Sequence, residues 1–356
     1  MKRGFSLKAI KNLDRSGMLQ VLLDFPSQCL TARGIAESAK IKFSGRDFKN
    51  IIFSGVGASG MGGDLLRSYL YHESRLPISV VRDYELPAFA DKDTLLFISS
   101  YSGNTEEAFY IWGQAKKIGI RPVILSSGGR LEELAFADNE TFVRLPKGLP
   151  PRLALGYLSI IPLCLLVKLG LIEDKTAQIS AMSKILEELK KNCLNPRVAV
   201  KDNVAKYAAQ KLFNKLVFIY TNSIHFDVAG TRLRTQLAEN PKAIASGHLF
   251  PEMNHNEIAA WQNPKKLFKD CALVFLRDKD INPRINKRIE LTKSLLSREG
   301  LKTMEIWSRG EDTLSKIFSL IYTGDFISYY LALLYGVDPT PVERINYIKE
   351  ELRKYS

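Results

Sequence analysis

A chain of 356 residues suits two domains of ordinary size, and a hydrophobic share of 46% is enough for real cores, which excludes a disordered chain. The net charge of +13 comes from scattered Lys and Arg, so no nucleic-acid-binding tract is expected; a basic field of this kind draws small anions. The four cysteines, Cys29, Cys164, Cys193 and Cys271, contain no C-x-x-C pair and point to a reducing compartment, the cytoplasm.

Met1 to Phe5 is basic with no apolar core after it, so no signal peptide is expected. The first 40 or so residues read as a helical, peripheral segment. Ile51-Ile52-Phe53 is a short buried strand running into the glycine-rich turn Gly55-Val56-Gly57-Ala58-Ser59-Gly60, and a helix follows through Asp64 to Leu70. Ile78 to Val81 and Thr94 to Ile98 are the next strands. The latter leads through Ser100-Tyr101-Ser102-Gly103-Asn104-Thr105 into a helix with Glu106 and Glu107 in its first turn. Pro122 to Leu125 and Phe142 to Leu145 complete a first set of strands. Strands alternating with helices imply an α/β domain with a mostly parallel sheet, here over residues 41–174.

Leu153 to Leu169 is almost wholly apolar but slightly short for a membrane span of about 20 residues, and reads as a helix buried in a core or a subunit interface. The pattern then restarts over 175–356. Lys175 to Asn192 is an amphipathic helix, Leu216 to Tyr220 a strand, and Phe226 to Leu237 a helix. Ala272 to Leu276 and Met304 to Trp307 are strands around a basic helix, and Leu314 to Tyr335 is a long apolar helix ending at Gly336. The two halves share an order of elements, which implies two sheets of similar topology.

Two loops of the first half carry the chemistry of an anion cradle. Each follows an apolar strand and opens a helix, where backbone N–H groups and the positive helix end face a ligand. Gly57 and Ser59 belong to the first; Ser100, Ser102 and Thr105 give the second three hydroxyls. The same residue types also cap helices in ordinary turns. No G-x-x-x-x-G-K-[ST] occurs, and the first loop matches the dinucleotide fingerprint by letter alone, so no nucleotide cofactor is expected.

Gly57-Ala58-Ser59-Gly60, followed by Ser100-Tyr101-Ser102-Gly103-Asn104-Thr105-Glu106-Glu107, resembles the sugar isomerase (SIS) domain, a flavodoxin-like, doubly wound parallel sheet that binds phosphosugars through Ser/Thr-rich loops. The likeness covers about 40 to 350 as two such domains. Pro150-Pro151-Arg152 and Pro251-Glu252-Met253-Asn254-His255-Asn256-Glu257 resemble the bifunctional phosphoglucose/phosphomannose isomerase group within it. The resemblance implies reversible isomerisation of glucose 6-phosphate, and of mannose 6-phosphate, to fructose 6-phosphate without metal.

Such a reaction needs one group to open the sugar ring and a base to carry a proton between C1 and C2 through an enediol. A carboxylate suits the second task and an imidazole the first. Glu239 and His255 stand where the group has its base and its ring-opening histidine, although Ala238 and Pro241 replace residues more usual there. Arg152 is the expected cation near the enediol. Thr340 and Lys349 are the candidates for the group's C-terminal pocket residues. The resemblance further implies a homodimer with a shared active site, the histidine coming from the partner. Two alternatives stay open from the residues: a phosphosugar-binding regulator without catalysis, and a metal site formed by His248, Glu252, His255 and Glu257.

Overall fold

The computed structural model describes residues 5–43 and 47–355. The chain divides into two compact units, one of residues 24–184 with 311–315, the other of the residues up to Leu23 with 185–310 and 316–356. Three helices open the chain: α1 (Leu7–Leu13), α2 (Met18–Leu23) and α3 (Phe25–Ser38). They do not form one peripheral segment. The first two go with one unit and α3 with the other.

The first unit continues through β1 (Asn50–Ser54), α4 (Ala58–Tyr69), β2 (Ile78–Val81), β3 (Thr94–Ser99), α5 (Glu106–Lys117), β4 (Val123–Ser126), α6 (Arg130–Ala137), β5 (Thr141–Arg144), α7 (Leu155–Lys168) and α8 (Thr176–Leu189). Its five strands are all parallel, in the order β2-β1-β3-β4-β5, with Ile51 beside both Ile78 and Leu95. β1, β3 and β4 are buried along their whole length because helices cover both faces, which explains their unbroken apolar runs. Ile52, Leu96, Ile98 and Ile124 pack under Ile111 and Trp112 of α5 and Leu131 of α6.

The helix expected to be peripheral is part of the core. Phe25, Cys29, Ala32 and Ala36 make one buried stripe of α3, which packs on α7. α7 contains Pro162, which has no N–H to give the carbonyl of Leu158 one turn earlier. Helix α4 comes up against that same carbonyl: a Cβ at Gly62 would lie 2.1 Å from Leu158 O. Only glycine permits so close an approach, and this contact fixes α4 against α7.

The second unit holds α9 (Val204–Leu212), β6 (Leu216–Asn222), α10 (Asp227–Glu239), β7 (Ala245–Phe250), β8 (Cys271–Arg277), α11 (Pro283–Arg298), β9 (Lys302–Trp307), α12 (Thr313–Tyr335) and α13 (Glu343–Leu352). Its four parallel strands run β7-β6-β8-β9, the order of the first four strands of the other sheet. Tyr220, Phe250, Phe275, Met253 and Trp261 form the core on one face. β7 is an edge strand, mostly half-exposed, and its Ala-Ser-Gly-His start carries no apolar run to announce it. α12 is long and apolar enough to cross a membrane, yet 94% of its apolar window is buried inside the structure. Tyr322 and Tyr329 of α12 donate to Leu22 O (2.8 Å) and to the Asp14 carboxylate (3.0 Å), and so anchor α1 and α2.

Candidate active site

In an open parallel sheet, ligands bind at the carboxyl ends of the strands where the strand order reverses. In the first sheet that point lies between β1 and β3. The two loops singled out by their hydroxyls are the two that leave these strands. Gly57 caps α4 with a positive φ of 57°, which turns the chain from β1 into the helix. Ser59, in the first turn of α4, is buried, and its Oγ accepts a hydrogen bond from Tyr101 N at 3.3 Å. Ser100 is buried, and its hydroxyl is hydrogen-bonded to that of Thr105, the N-cap of α5. Ser102 is exposed and its Oγ accepts from Asn104 N at 3.3 Å. The structure therefore brings Gly57, Ser59, Ser100 and Thr105 around one switch point, with Ser102 on the rim.

A third loop belongs to this arrangement, and the pattern reading did not single it out. Ser126-Ser127-Gly128-Gly129 leaves β4; Ser127 N and Oγ both donate to Tyr101 O, at 3.0 and 2.7 Å. The contact is so close that a Cβ at Gly103, whose φ is 69°, would lie 1.7 Å from Gly128 O. The available signal was a strand followed by hydroxyls and glycines, the same as in the other two loops. Arg82, just past β2, is a second omission. It pairs with Asp64 of α4, and its Nε comes within 3.1 Å of where a Gly60 Cβ would stand.

Arg152 lies in the same unit, in a short 3-10 turn (Pro151–Leu153) packed on α4. Its side chain is buried. Tyr101 ties the chain before it to the second loop, donating to Pro146 O at 2.7 Å and accepting from Leu149 N at 3.0 Å. Burial pushes the Tyr101 phenol pKa up, so it stays a neutral bridge at ordinary pH.

Glu239, His255, Thr340 and Lys349 belong to the other unit. Glu239 is the half-buried last residue of α10. The turn after it is held firmly: Asn240 Nδ2 donates to Ser328 Oγ of α12 at 2.9 Å. Lys242 Nζ bridges Asn240 O and Asp338 O, both at 2.9 Å. That bridge brings the segment of Thr340 to the Glu239 turn. Thr340 N donates to Asp338 Oδ1 at 2.9 Å. Lys349 stands exposed on α13, a helix that buries none of its residues.

His255 ends a 3-10 turn (Glu252–His255) that follows β7, and it is exposed. α10 returns the chain to the amino ends of the strands and β7 carries it back to the carboxyl ends. Glu239 and His255 of one chain are thus separated along the length of β7, six residues and about 17 Å. Of the four side chains considered as metal ligands, His248 Nδ1 meets Glu257 Oε2, and Glu252 Oε1 accepts from Asn256 Nδ2 at 2.7 Å. Among the described residues, no three His, Cys, Asp or Glu side chains gather as a metal site.

Comparison with known proteins bears on the whole chain. Residues 201–352 match the model of the bacterial phospho-glucose isomerase C-terminal SIS domain. The chain is 39% identical to the bifunctional phosphoglucose/phosphomannose isomerase of Caldicellulosiruptor bescii, over 94% of this chain and 98% of that one. It is 34% identical to the protein of the same name from Aquifex aeolicus, over 87% and 92%. Among solved structures, a hypothetical protein of Thermus thermophilus superposes with a TM-score of 0.75 at 14% identity, covering 95% and 90% of the two chains. A glucose-6-phosphate isomerase like protein of the same organism gives 0.63 at 20% identity, covering 96% and 99%. At these identities the two structures speak for the fold: two parallel α/β sheets of the SIS kind.

Proposed function

The chain belongs to the bifunctional phosphoglucose/phosphomannose isomerases, enzymes that interconvert glucose 6-phosphate and mannose 6-phosphate with fructose 6-phosphate, and we propose that it does so with Glu239 as base and His255 as ring opener. The observation that carries the site is the hydroxyl cradle at the β1/β3 switch point. Ser59, Ser100, Ser102 and Thr105 offer neutral donors beside two helix N-termini, which hold a phosphate dianion and also let it go. Arg152 stabilises the charge that develops on the enediol oxygens. Glu239 moves the proton between C1 and C2, and His255 moves the one between the ring oxygen and the C1 hydroxyl. No metal or nucleotide is required in this scheme. A compact Thr340 near C2 leaves room for either epimer, and Lys349 completes the pocket.

The separation of Glu239 and His255 along β7 supports a homodimer in which each sugar meets the glutamate of one subunit and the histidine of the other. The exposure of His255 fits that arrangement, since a residue serving a neighbour's site must lie on the surface. Four free cysteines support a reducing, cytoplasmic setting.

The test is Glu239→Gln, which keeps size and hydrogen bonding and removes the base. Its kcat is expected to fall by about 10²–10⁴ with KM little changed. Turnover at the wild-type rate would remove Glu239 from the mechanism.

A further inference from the structure

The segment that presents His255 is clamped at both ends, and the clamp that follows the histidine is made of polar groups with no part in the chemistry described so far. Tyr220 of β6 and His248 of β7 are register partners on neighbouring strands, with ring centroids 5.7 Å apart. The Glu257 carboxylate bridges them. Its Oε1 accepts from Tyr220 OH at 2.7 Å, and its Oε2 meets His248 Nδ1. The other polar functions of the two rings are filled too: Trp261 Nε1 donates to Tyr220 OH at 3.0 Å, and His248 Nε2 lies 2.7 Å from Ser246 Oγ. Desolvation by burial and the neighbouring Glu257 charge both push the Tyr220 phenol pKa up, which keeps it a donor.

Glu257 is two residues beyond His255. On the other side, Met253 is buried in the core and Asn254 Nδ2 donates to Thr292 Oγ1 of α11 at 2.9 Å. Between these anchors Asn256 closes the turn. Its Oδ1 accepts from Glu257 N at 2.6 Å and its Nδ2 donates to Glu252 Oε1 at 2.7 Å. His255 is the exposed residue in the middle of a backbone fixed before and after it. A surface loop of this kind would otherwise sample many orientations, and an imidazole misplaced by an ångström loses most of its value as a proton-transfer group.

We propose that the Tyr220–Glu257–His248 bridge is a positioning device for His255, setting the rate of ring opening without touching the sugar. The inference rests on the reading of His255 as the ring opener. Glu257 is the key member, because one carboxylate joins both strands to the loop.

The experiment measures two quantities on purified enzyme: isomerisation of glucose 6-phosphate, and enzyme-catalysed exchange between its ring anomers followed by NMR, which reports ring opening alone. Glu257→Ala is expected to lower anomer exchange about tenfold to a hundredfold and kcat with it, leaving KM nearly unchanged. Glu257→Gln, which can still accept from Tyr220, should recover most of the loss. Tyr220→Phe removes the hydroxyl, and with it the bonds to Glu257 and from Trp261, with little repacking; a smaller loss of about threefold is expected if Glu257→Ala proves too unstable to assay. In a His255→Ala background the Glu257→Ala change should add nothing, since its effect passes through the imidazole. A further multiplicative loss in that background would mark a merely structural role and overturn the proposal. So would full anomer exchange in Glu257→Ala or Tyr220→Phe alongside its loss in His255→Ala. Unaltered exchange in His255→Ala itself would overturn the ring-opener reading, and the positioning proposal with it.

Discussion

The two sheets share a strand order, yet their carboxyl edges are built from opposite chemistry. At the β1/β3 switch point of the first sheet stand hydroxyls and helix N-termini: Ser59, Ser100 and Thr105, with the Ser126–Gly129 loop beside them. At the equivalent β6/β8 point of the second, the end of β8 is filled by charges that neutralise one another. Arg277 is only 2% exposed. It pairs with Glu290 at 2.7 Å and with Glu305, and its guanidinium lies 4.6 Å from the centre of the Trp307 ring. Asp278 is buried against Ser308 and Lys316, and Lys316 pairs with Asp280 as well. The same topology thus yields a cluster of hydroxyls and helix N-termini in one half and a closed ionic network in the other. A switch point creates the opportunity for a site, and the side chains decide whether a ligand or the protein itself occupies it.

The sharpest way to break this comparison is to remove Arg277. Arg277→Met would leave the Glu290 and Glu305 carboxylates with Lys293 as their shared cation, its Nζ 3.2 and 2.6 Å away, and with no guanidinium between them. A loss of about 2–3 kcal/mol is expected from the buried guanidinium's charged hydrogen bonds, read as a lowered midpoint in urea unfolding, with KM for the sugar phosphate unmoved at temperatures where the variant is folded. A raised KM without loss of stability would make the second edge a binding site after all. In the first sheet the opposite pattern is expected. Ser100→Ala deletes a hydroxyl that we propose holds the phosphate, so binding should weaken by about 1.5–3 kcal/mol, seen as a raised KM, while the unfolding midpoint shifts little. An unchanged KM would remove Ser100 from the cradle.

The smallest effect concerns Asp280, whose carboxyl pKa is held below its ordinary value chiefly by the hydrogen bond from Lys316. Because the folded state binds its proton less readily than the unfolded state, the contribution is present at neutral pH. It fades as pH falls through and below the usual carboxylate range near 4. Asp280→Asn should therefore flatten the acid limb of the melting temperature against pH slightly. A variant with the wild-type acid limb would show that this ion pair contributes nothing.

How much of this could be read from the chain depended on burial. β1, β3, β4, β6 and β8 announced themselves because helices cover both faces and Val, Ile, Leu and Phe dominate their positions. β7 did not: as an edge strand it needs no apolar face on its outer side, and Ala245-Ser246-Gly247-His248 reads as a loop. That silence concealed the strand from which Ser246 and His248 act. α3 looked peripheral because a helix stripe of Phe25, Cys29, Ala32 and Ala36 is modest in hydrophobicity, though Ala32 is fully buried in a helix that packs on the apolar α7. The hydroxyl loops were legible because chemistry and position coincide in them. Glu239 and His255 were not: a glutamate at a helix end and a histidine in a polar turn resemble ordinary surface residues, and resemblance to known isomerases was what drew attention to them. The geometry adds that α10 and β7 set them at opposite ends of one strand.

That separation gives the most direct test of the account. Glu239→Gln and His255→Ala would each be purified inactive, then mixed, dissociated and reassociated. If one sugar meets Glu239 of one subunit and His255 of the other, every mixed dimer regains one intact site, and about a quarter of wild-type activity returns. If both residues act from the same chain, each site in every dimer still carries one lesion and the mixture stays inactive.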